Sequence, residues 1–363
     1  MKIVVYAICK NEQDFVDRWV DSMCEADEIY VLDTGSTDRS AARLQARGVN
    51  VRVQAVQPWR FDVARNLSLS LVRTDTDICV CTDLDEVFVP GWREKLEAAW
   101  RPGTVQARYR YTWSFTPEGA EAVVFYQEKI HCRHGFTWVH PVHETLKWTA
   151  DAPPPCVLAT GVQLNHYPDS KKSRAQYLPL LELAVREAPQ DDRNMHYLGR
   201  EYFFQRRWDA CLHTLARHLA MPTAKWADER AASMRYMAKC YVQKGDRTNA
   251  KKWFLYAIAE APYLREAYID LAQLLYEEEN WEGVLYFTHC ALVIKERPLS
   301  YICEENAWSA LPHDLRAIAY YHTDRRALAL HETELALHFS PNDARLLNNR
   351  RLLSDASAVS NFL

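Results

Sequence analysis

Ile3-Val4-Val5-Tyr6-Ala7-Ile8 is an unbroken apolar run that stops at the polar Lys10-Asn11-Glu12. A run apolar at every position, rather than at alternate ones, predicts a strand covered on both faces. The pattern recurs at Ile29-Tyr30-Val31-Leu32, followed by Asp33-Thr34-Gly35-Ser36-Thr37-Asp38, and at Ile78-Cys79-Val80-Cys81, followed by Asp83-Leu84-Asp85. Strands are therefore expected over residues 2–8, 28–33, 50–55 and 77–81. Amphipathic stretches between and after them predict helices over 12–24, 39–47, 62–71 and 91–100, the second with Asp38 placed as its cap. This alternation is that of βαβ units on a mainly parallel sheet, an α/β class.

From residue 104 the pattern changes to longer runs rich in Tyr, Trp, Val and Phe, over 104–115 and 121–131. They are joined by Thr116-Pro117-Glu118-Gly119, which predicts a hairpin. Asp151-Ala152-Pro153-Pro154-Pro155 reads as a stiff connector, with a last strand over 157–164. Beyond His166-Tyr167-Pro168-Asp169 the chain is helical and repetitive, which places a domain boundary near Asp169 and gives domains of 1–168 and 169–363. Met237-Ala238, Tyr241, Ala250, Phe254, Ala257 and Pro262 fall on tetratricopeptide spacing, repeated less cleanly around Leu198-Gly199, Leu271-Ala272 and Ala329. An all-α tetratricopeptide solenoid is the expectation for this half. Its small residues are core positions that let helices approach, and its concave surface suits a protein or peptide.

A hydrophobic content of 48% and twelve tryptophans suffice for two cores and exclude disorder. No window holds the ~18 consecutive apolar residues of a membrane span. With no leader-like start and ten scattered cysteines lacking any CxxC pair, a cytoplasmic protein with reduced thiols is expected. The net charge of −4 leaves neither half basic. A nucleic-acid partner would need a local positive face, for which Lys171-Lys172-Arg174, Arg206-Arg207, Arg345 and Arg350-Arg351 are the candidates.

Polar residues at the carboxyl ends of neighbouring parallel strands are where open α/β sheets bind ligands. Asp83 and Asp85 lie one residue apart in an extended segment, so their carboxylates point the same way and can converge on one hard cation. Solvated turn or cap residues are the plainer reading of such a pair.

Taken together, Cys9-Lys10-Asn11-Glu12, the Asp33 to Asp38 segment, Phe61-Asp62-Val63-Ala64-Arg65-Asn66 and Asp83-Leu84-Asp85-Glu86 resemble the family-2 glycosyltransferases in order and spacing, over roughly residues 1–170. The resemblance implies a Rossmann-like A-type transferase domain using Mn²⁺ or Mg²⁺ and a nucleotide sugar, UDP-linked, as donor. It implies Asp85 as the metal ligand with His166 completing the shell, and Asp83 toward the sugar or ribose. For the nucleoside it implies the backbone around Ala7 and Cys9, with Asn11, Glu12 and Gly35, and an Asp33 carboxylate accepting from a uracil imide. It also implies Arg65 on the diphosphate. Where that family often places an acidic pair, this chain has Trp138-Val139-His140-Pro141-Val142-His143-Glu144. Glu144 is the candidate base there, assisted by His143. Trp113, Trp138 and Trp148 are candidates for stacking on sugar rings, or equally for packing.

The implied reaction is inverting transfer of a hexose to a protein or peptide. A glycan, a lipid-linked sugar or a hydroxymethylated DNA base are the alternative acceptors. A non-catalytic tetratricopeptide scaffold is the alternative class, and the helical repeats also admit a homodimer.

Overall fold

A computed structural model describes residues 1–169 and 176–355; the Lys171-Lys172-Arg174 group lies outside the described residues. The chain divides into two compact units, Met1–Ala188 and Pro189–Leu363. In the first, the order is β1 (Ile3–Cys9), α1 (Val16–Met23), β2 (Glu28–Asp33), α2 (Ser40–Ala46), β3 (Asn50–Val53), α3 (Phe61–Leu71), β4 (Ile78–Thr82), β5 (Glu86–Phe88), α4 (Trp92–Ala99), β6 (Gln106–Phe115), β7 (Glu121–Cys132), β8 (Phe136–Val139), β9 (Thr145–Trp148), β10 (Cys156–His166) and α5 (Tyr177–Glu187). The unit runs on past the Asp169 turn to include α5.

Eight strands form one sheet in the order β3-β2-β1-β4-β7-β6-β10-β5, and β8 with β9 forms a separate hairpin. The β3-β2-β1-β4 part is parallel, as the apolar runs suggest. The sheet as a whole is mixed rather than mainly parallel, because β7 inserts antiparallel between β4 and β6. The hairpin expected from residues 104–131 is β6-β7. Its turn is closed by the Thr116 N–H donating to the Ala120 carbonyl at 2.7 Å.

Every residue of β1 is buried. Ile3, Val5, Ala7 and Cys9 join a core with Val16 and Trp19 of α1, Leu44 of α2, and Trp92 and Leu96 of α4. Val4 and Tyr6 pack on the opposite face with Leu69 of α3, Cys79 and Cys81 of β4, and Trp138 of β8. A strand between two such layers has no polar face, which is why its sequence shows no alternation. The Asp38 carboxylate accepts the Ser40 N–H at 2.9 Å, satisfying one of the free donors that open α2.

The second unit is helical: α6 (Asp192–Phe204), α7 (Trp208–Ala220), α8 (Ala227–Gln243), α9 (Arg247–Glu260), α10 (Arg265–Glu277), α11 (Trp281–Val293), a short 3₁₀ turn, α12 (Ala310–His322), α13 (Arg326–Phe339) and α14 (Ala344–Ser354). Helices pack as successive pairs, α6 with α7, α8 with α9, α10 with α11 and α12 with α13. Ala238, Ala250, Ala257, Ala272, Ala291 and Ala329 have no exposed surface. A methyl group at Gly199 would lie 2.2 Å from Leu215 Cδ2, so the small residues that mark the repeat are the places where helices touch. Asp191, Asp246, Asn280 and Asp343 cap four of the helices through side-chain oxygens. Arg345 is held by Asp314 in two hydrogen bonds of 2.9 and 2.7 Å, which removes it from any positive face. Among the described residues no helix is long and apolar enough to cross a membrane.

Candidate active site

The carboxyl ends of β1, β2 and β4 are adjacent, and strand order reverses between β2 and β4 around β1. That is the position where open α/β sheets form a crevice. Three motifs meet there.

At the β1 end, Asn11 adopts a left-handed conformation, φ 56°, one that Asn tolerates better than most residues. Its amide oxygen accepts the Thr37 N–H at 2.7 Å, while its own N–H donates to Ser36 Oγ at 2.8 Å. The Glu12 N–H donates to Ser40 Oγ. These bonds tie the β1 end to the loop after β2. In that loop Asp33 Oδ1 accepts the N–H groups of Gly35 and Ser36, at 2.9 and 2.7 Å. Asp33 is only 1% exposed, and its Oδ2 is buried with no hydrogen-bond partner. A buried carboxylate oxygen left bare is costly unless a donor arrives. The Ala7 and Cys9 carbonyls are already engaged, by Ser68 Oγ–H at 2.7 Å and by the Thr34 N–H at 2.9 Å.

At the β4 end, Arg65 of α3 is 2% exposed and forms the hub. Its guanidinium donates to Asp83 Oδ1 at 2.5 Å, Glu144 Oε1 at 3.0 Å and the Thr82 carbonyl at 3.2 Å. The fold thus unites the first aspartate, the arginine and the candidate base. Asp83 also meets Lys129 Nζ of β7 at 3.3 Å. Burial opposes the charge of Lys129, yet Glu86 and Asp83 carry its pKa upward. Glu86, 1% exposed, accepts the Asp83 N–H at 2.8 Å and the Tyr111 O–H at 2.7 Å, and burial raises its pKa against the pull of Lys129.

Asp85 faces His166, with Oδ2 and Nε2 3.5 Å apart. His166 Nδ1–H donates to the Trp113 carbonyl at 2.9 Å. That bond keeps a proton on Nδ1, so in the neutral ring the Nε2 lone pair faces Asp85, a position that a proton or a metal cation would fill. Burial works against a charge on His166, but the Asp85 carboxylate outweighs it and raises the pKa. A lone pair and a carboxylate at this separation fit one cation: cis ligands of an octahedral ion with bonds of about 2.1 Å stand roughly 3 Å apart. Trp113, 46% exposed, stacks on His166 with centroids 4.3 Å apart.

The loop between β8 and β9 holds His143 and Glu144. His140 and His143 have φ of 76° and 50°, conformations that non-glycine residues keep only where neighbours enforce them. Asn66, next to Arg65, does so as a clamp: its amide accepts the Trp138 N–H at 2.9 Å and donates to the Trp138 carbonyl at 2.8 Å. The Phe61 N–H donates to the Pro141 carbonyl. His143 stacks on Tyr177 of α5. Trp138 itself is core, with Nε1–H donating to the Tyr6 hydroxyl at 2.8 Å, and Trp148 packs on Phe136 at 4.8 Å; Trp113 is the exposed one of the three.

Lys129 lies outside the motifs read from the sequence, and Asn66, the last residue of the Phe61 to Asn66 motif, clamps Trp138, a role that motif does not announce. The available signal for Lys129 is its place two residues before the fully buried His131 on one strand, since a lysine on an inward face requires counter-charges.

Residues 4–138, from β1 into β8, match the model of glycosyl transferase family 2, so the first unit carries a domain of that kind. Arg65, Asp83 and Asp85 lie inside the match; Glu144 and His166 lie beyond it. Among curated proteins, the lipopolysaccharide core biosynthesis glycosyltransferase LpsC of Rhizobium meliloti (strain 1021) is 27% identical over 130 residues, covering 32% of this chain and 47% of that protein. The match thus spans about half the length of that relative. Among solved structures, the C-terminal part of a TPR repeat-containing protein of Cytophaga hutchinsonii is 14% identical, covering 51% of this chain and 67% of that one at a TM-score of 0.42. A thermophilic TPR protein of Thermus thermophilus is 17% identical, covering 48% and 88% at 0.36. The repeat character of the second unit rests on its paired helices and buried small residues.

Proposed function

We propose that the protein transfers a hexose from a nucleotide sugar, UDP-linked, to a protein or peptide acceptor, with inversion at the anomeric carbon. The observation that carries this reading is the buried Asp33 Oδ2 without a hydrogen-bond partner, at the β2 end, with β1 between it and the β4 end that leads to Asp83 and Asp85. In this reading a base imide would donate to that oxygen, which is covered until a ligand enters. Asn11, Glu12 and Gly35 shape the nucleoside side of that crevice, with the backbone near Ala7 and Cys9 as its floor. Asp83 accepts from the ribose or sugar.

Asp85 and His166 would hold Mn²⁺ or Mg²⁺, the histidine nitrogen favouring Mn²⁺. Such an ion supplies charge neutralisation to the departing diphosphate. Glu144 removes the acceptor proton on the far side of the sugar, its Oε1 fixed by Arg65 and its second oxygen available. His143 assists the acceptor. Arg65 contributes positive charge from behind Asp83, and its bonds in this structure make it an organiser of both carboxylates. The oxocarbenium-like transition state is that familiar from glycoside chemistry.

A glycan acceptor is the second reading, favoured by the likeness to LpsC, a lipopolysaccharide core biosynthesis glycosyltransferase. Peptides and glycans offered with the matched donor distinguish the two.

Thermal-shift measurements with UDP-, GDP- and dTDP-sugars, with and without Mn²⁺, test the donor, because a ligand of the native state raises the melting temperature. A Mn²⁺-dependent rise with a UDP-sugar is expected, and no metal-dependent rise with any donor would sink the assignment. Glu144→Gln should keep that shift and lower kcat by about 10²–10⁴; full turnover would remove Glu144 as the base.

A further inference from the structure

Three helix ends of the second unit bring a separate set of ligating side chains together. Asp192 lies in the first turn of α6, His218 in the last turn of α7 and Glu229 in the first turn of α8. One donor atom from each lies within 4.8 Å of the other two. Acids at helix amino ends and a histidine at a carboxyl end are favourable on dipole grounds alone. That does not account for the nitrogen at the centre. His218 has no exposed surface, and its Nε2 is buried without a hydrogen-bond partner, although it points at Glu229 Oε1 only 3.4 Å away.

The surrounding bonds are those of a supported ligand set. His218 Nδ1 lies 3.0 Å from Ser233 Oγ, and the same hydroxyl lies 2.8 Å from His196 Nδ1. A hydroxyl gives one proton and accepts others, so His218 can donate Nδ1–H to Ser233 while Ser233 donates to His196. The Nε2 lone pair of His218 then faces a carboxylate, an arrangement that a cation between them satisfies. The other Glu229 oxygen accepts the Tyr301 O–H at 2.5 Å, which fixes the carboxylate as a one-oxygen donor.

We propose that Asp192, His218 and Glu229 form a divalent transition-metal site, zinc by preference, that staples α6, α7 and α8. Four-coordinate zinc with bonds of about 2.0–2.2 Å spaces its ligands roughly 3.3–3.6 Å apart, and the His218–Glu229 separation already has that value. Asp192, half-buried, closes the remaining distance by side-chain rotation and leaves a fourth position for water on its side. Two carboxylates neutralise the dication, so the filled site brings no net charge into the interior. The imidazole donor selects against Mg²⁺ and Ca²⁺. This site is independent of the crevice in the first unit and of its reading.

The test uses the full chain carrying Asp85→Ala, which removes the carboxylate of the other candidate metal site and leaves only His166 there. After dialysis against chelator, zinc alone is titrated and bound metal is measured by equilibrium dialysis. One zinc per chain is expected, undisplaced by excess Mg²⁺, with a melting temperature raised by about 5 °C or more at a hundredfold excess over Kd. Adding Asp192→Asn, at a half-buried position that leaves the core intact, should weaken zinc binding at least about tenfold. Adding His218→Gln should abolish it. Absence of zinc binding at micromolar free metal overturns the proposal, as does unchanged affinity in the Asp192→Asn protein; the latter decides the matter even where His218→Gln disturbs folding.

Discussion

His131 has no exposed surface and both ring nitrogens engaged. Nδ1–H donates to the Cys132 carbonyl at 2.7 Å, and Nε2 accepts from the Tyr6 hydroxyl at 2.8 Å. Burial lowers its pKa to about 4. A histidine that stays neutral when folded but titrates near 6.5 when unfolded contributes stability that is complete above pH 6.5 and is lost as pH falls toward 4. The slope is up to about 1.4 kcal/mol per pH unit, roughly 3 kcal/mol in all. Urea unfolding at pH 7.5 and 4.5 reads it, and His131→Gln should lose that part of the dependence; identical slopes in the two proteins would refute the assignment. Asp33, Asp83 and Asp85 stand out in the sequence because polar residues abruptly end apolar runs. Lys129 and the burial of Arg65 do not, because their counter-charges come from segments distant along the chain, and Trp138 is claimed by Tyr6 for the same non-local reason.

The β8-β9 hairpin supports the loop that carries Glu144, and its own geometry depends on a glycine. Gly135 has φ +84°, and a methyl group there would lie 2.3 Å from the Trp148 ring. Gly119 has a similar φ, +86°, with open space around it. Gly119→Ala should therefore cost about 1 kcal/mol from backbone conformation alone. Gly135→Ala should cost about 2–4 kcal/mol because overpacking adds to it, and it should lower kcat by displacing the β8-β9 loop. Equal urea midpoints for the two variants would show that the Trp148 contact is not tight. Strands and helices of the parallel part are readable from periodicity, since two-sided burial writes continuous apolar runs. The place of β7 is not, because strand order is set by pairing across the sheet and leaves no local trace in the sequence of either partner. The helical repeats are readable for the opposite reason: each helix packs chiefly on its sequence neighbours, so small residues recur one repeat apart, as Ala238 and Ala272 do.

Each of the two units has its own core, and in the first a buried arginine links two of the candidate functional groups. Arg65 binds Asp83 on one side and Glu144 on the other, and a guanidinium is a rigid planar fork. On the proposed reading, a shift of Asp83 toward an incoming ribose would be felt at Glu144, coupling donor binding to the candidate base. Turnover should follow a compulsory sequence in which the donor enters first. In steady-state analysis the released nucleoside diphosphate should then compete with the donor but not with the acceptor, whereas Arg65→Lys, lacking the fork, should let the acceptor bind in either order.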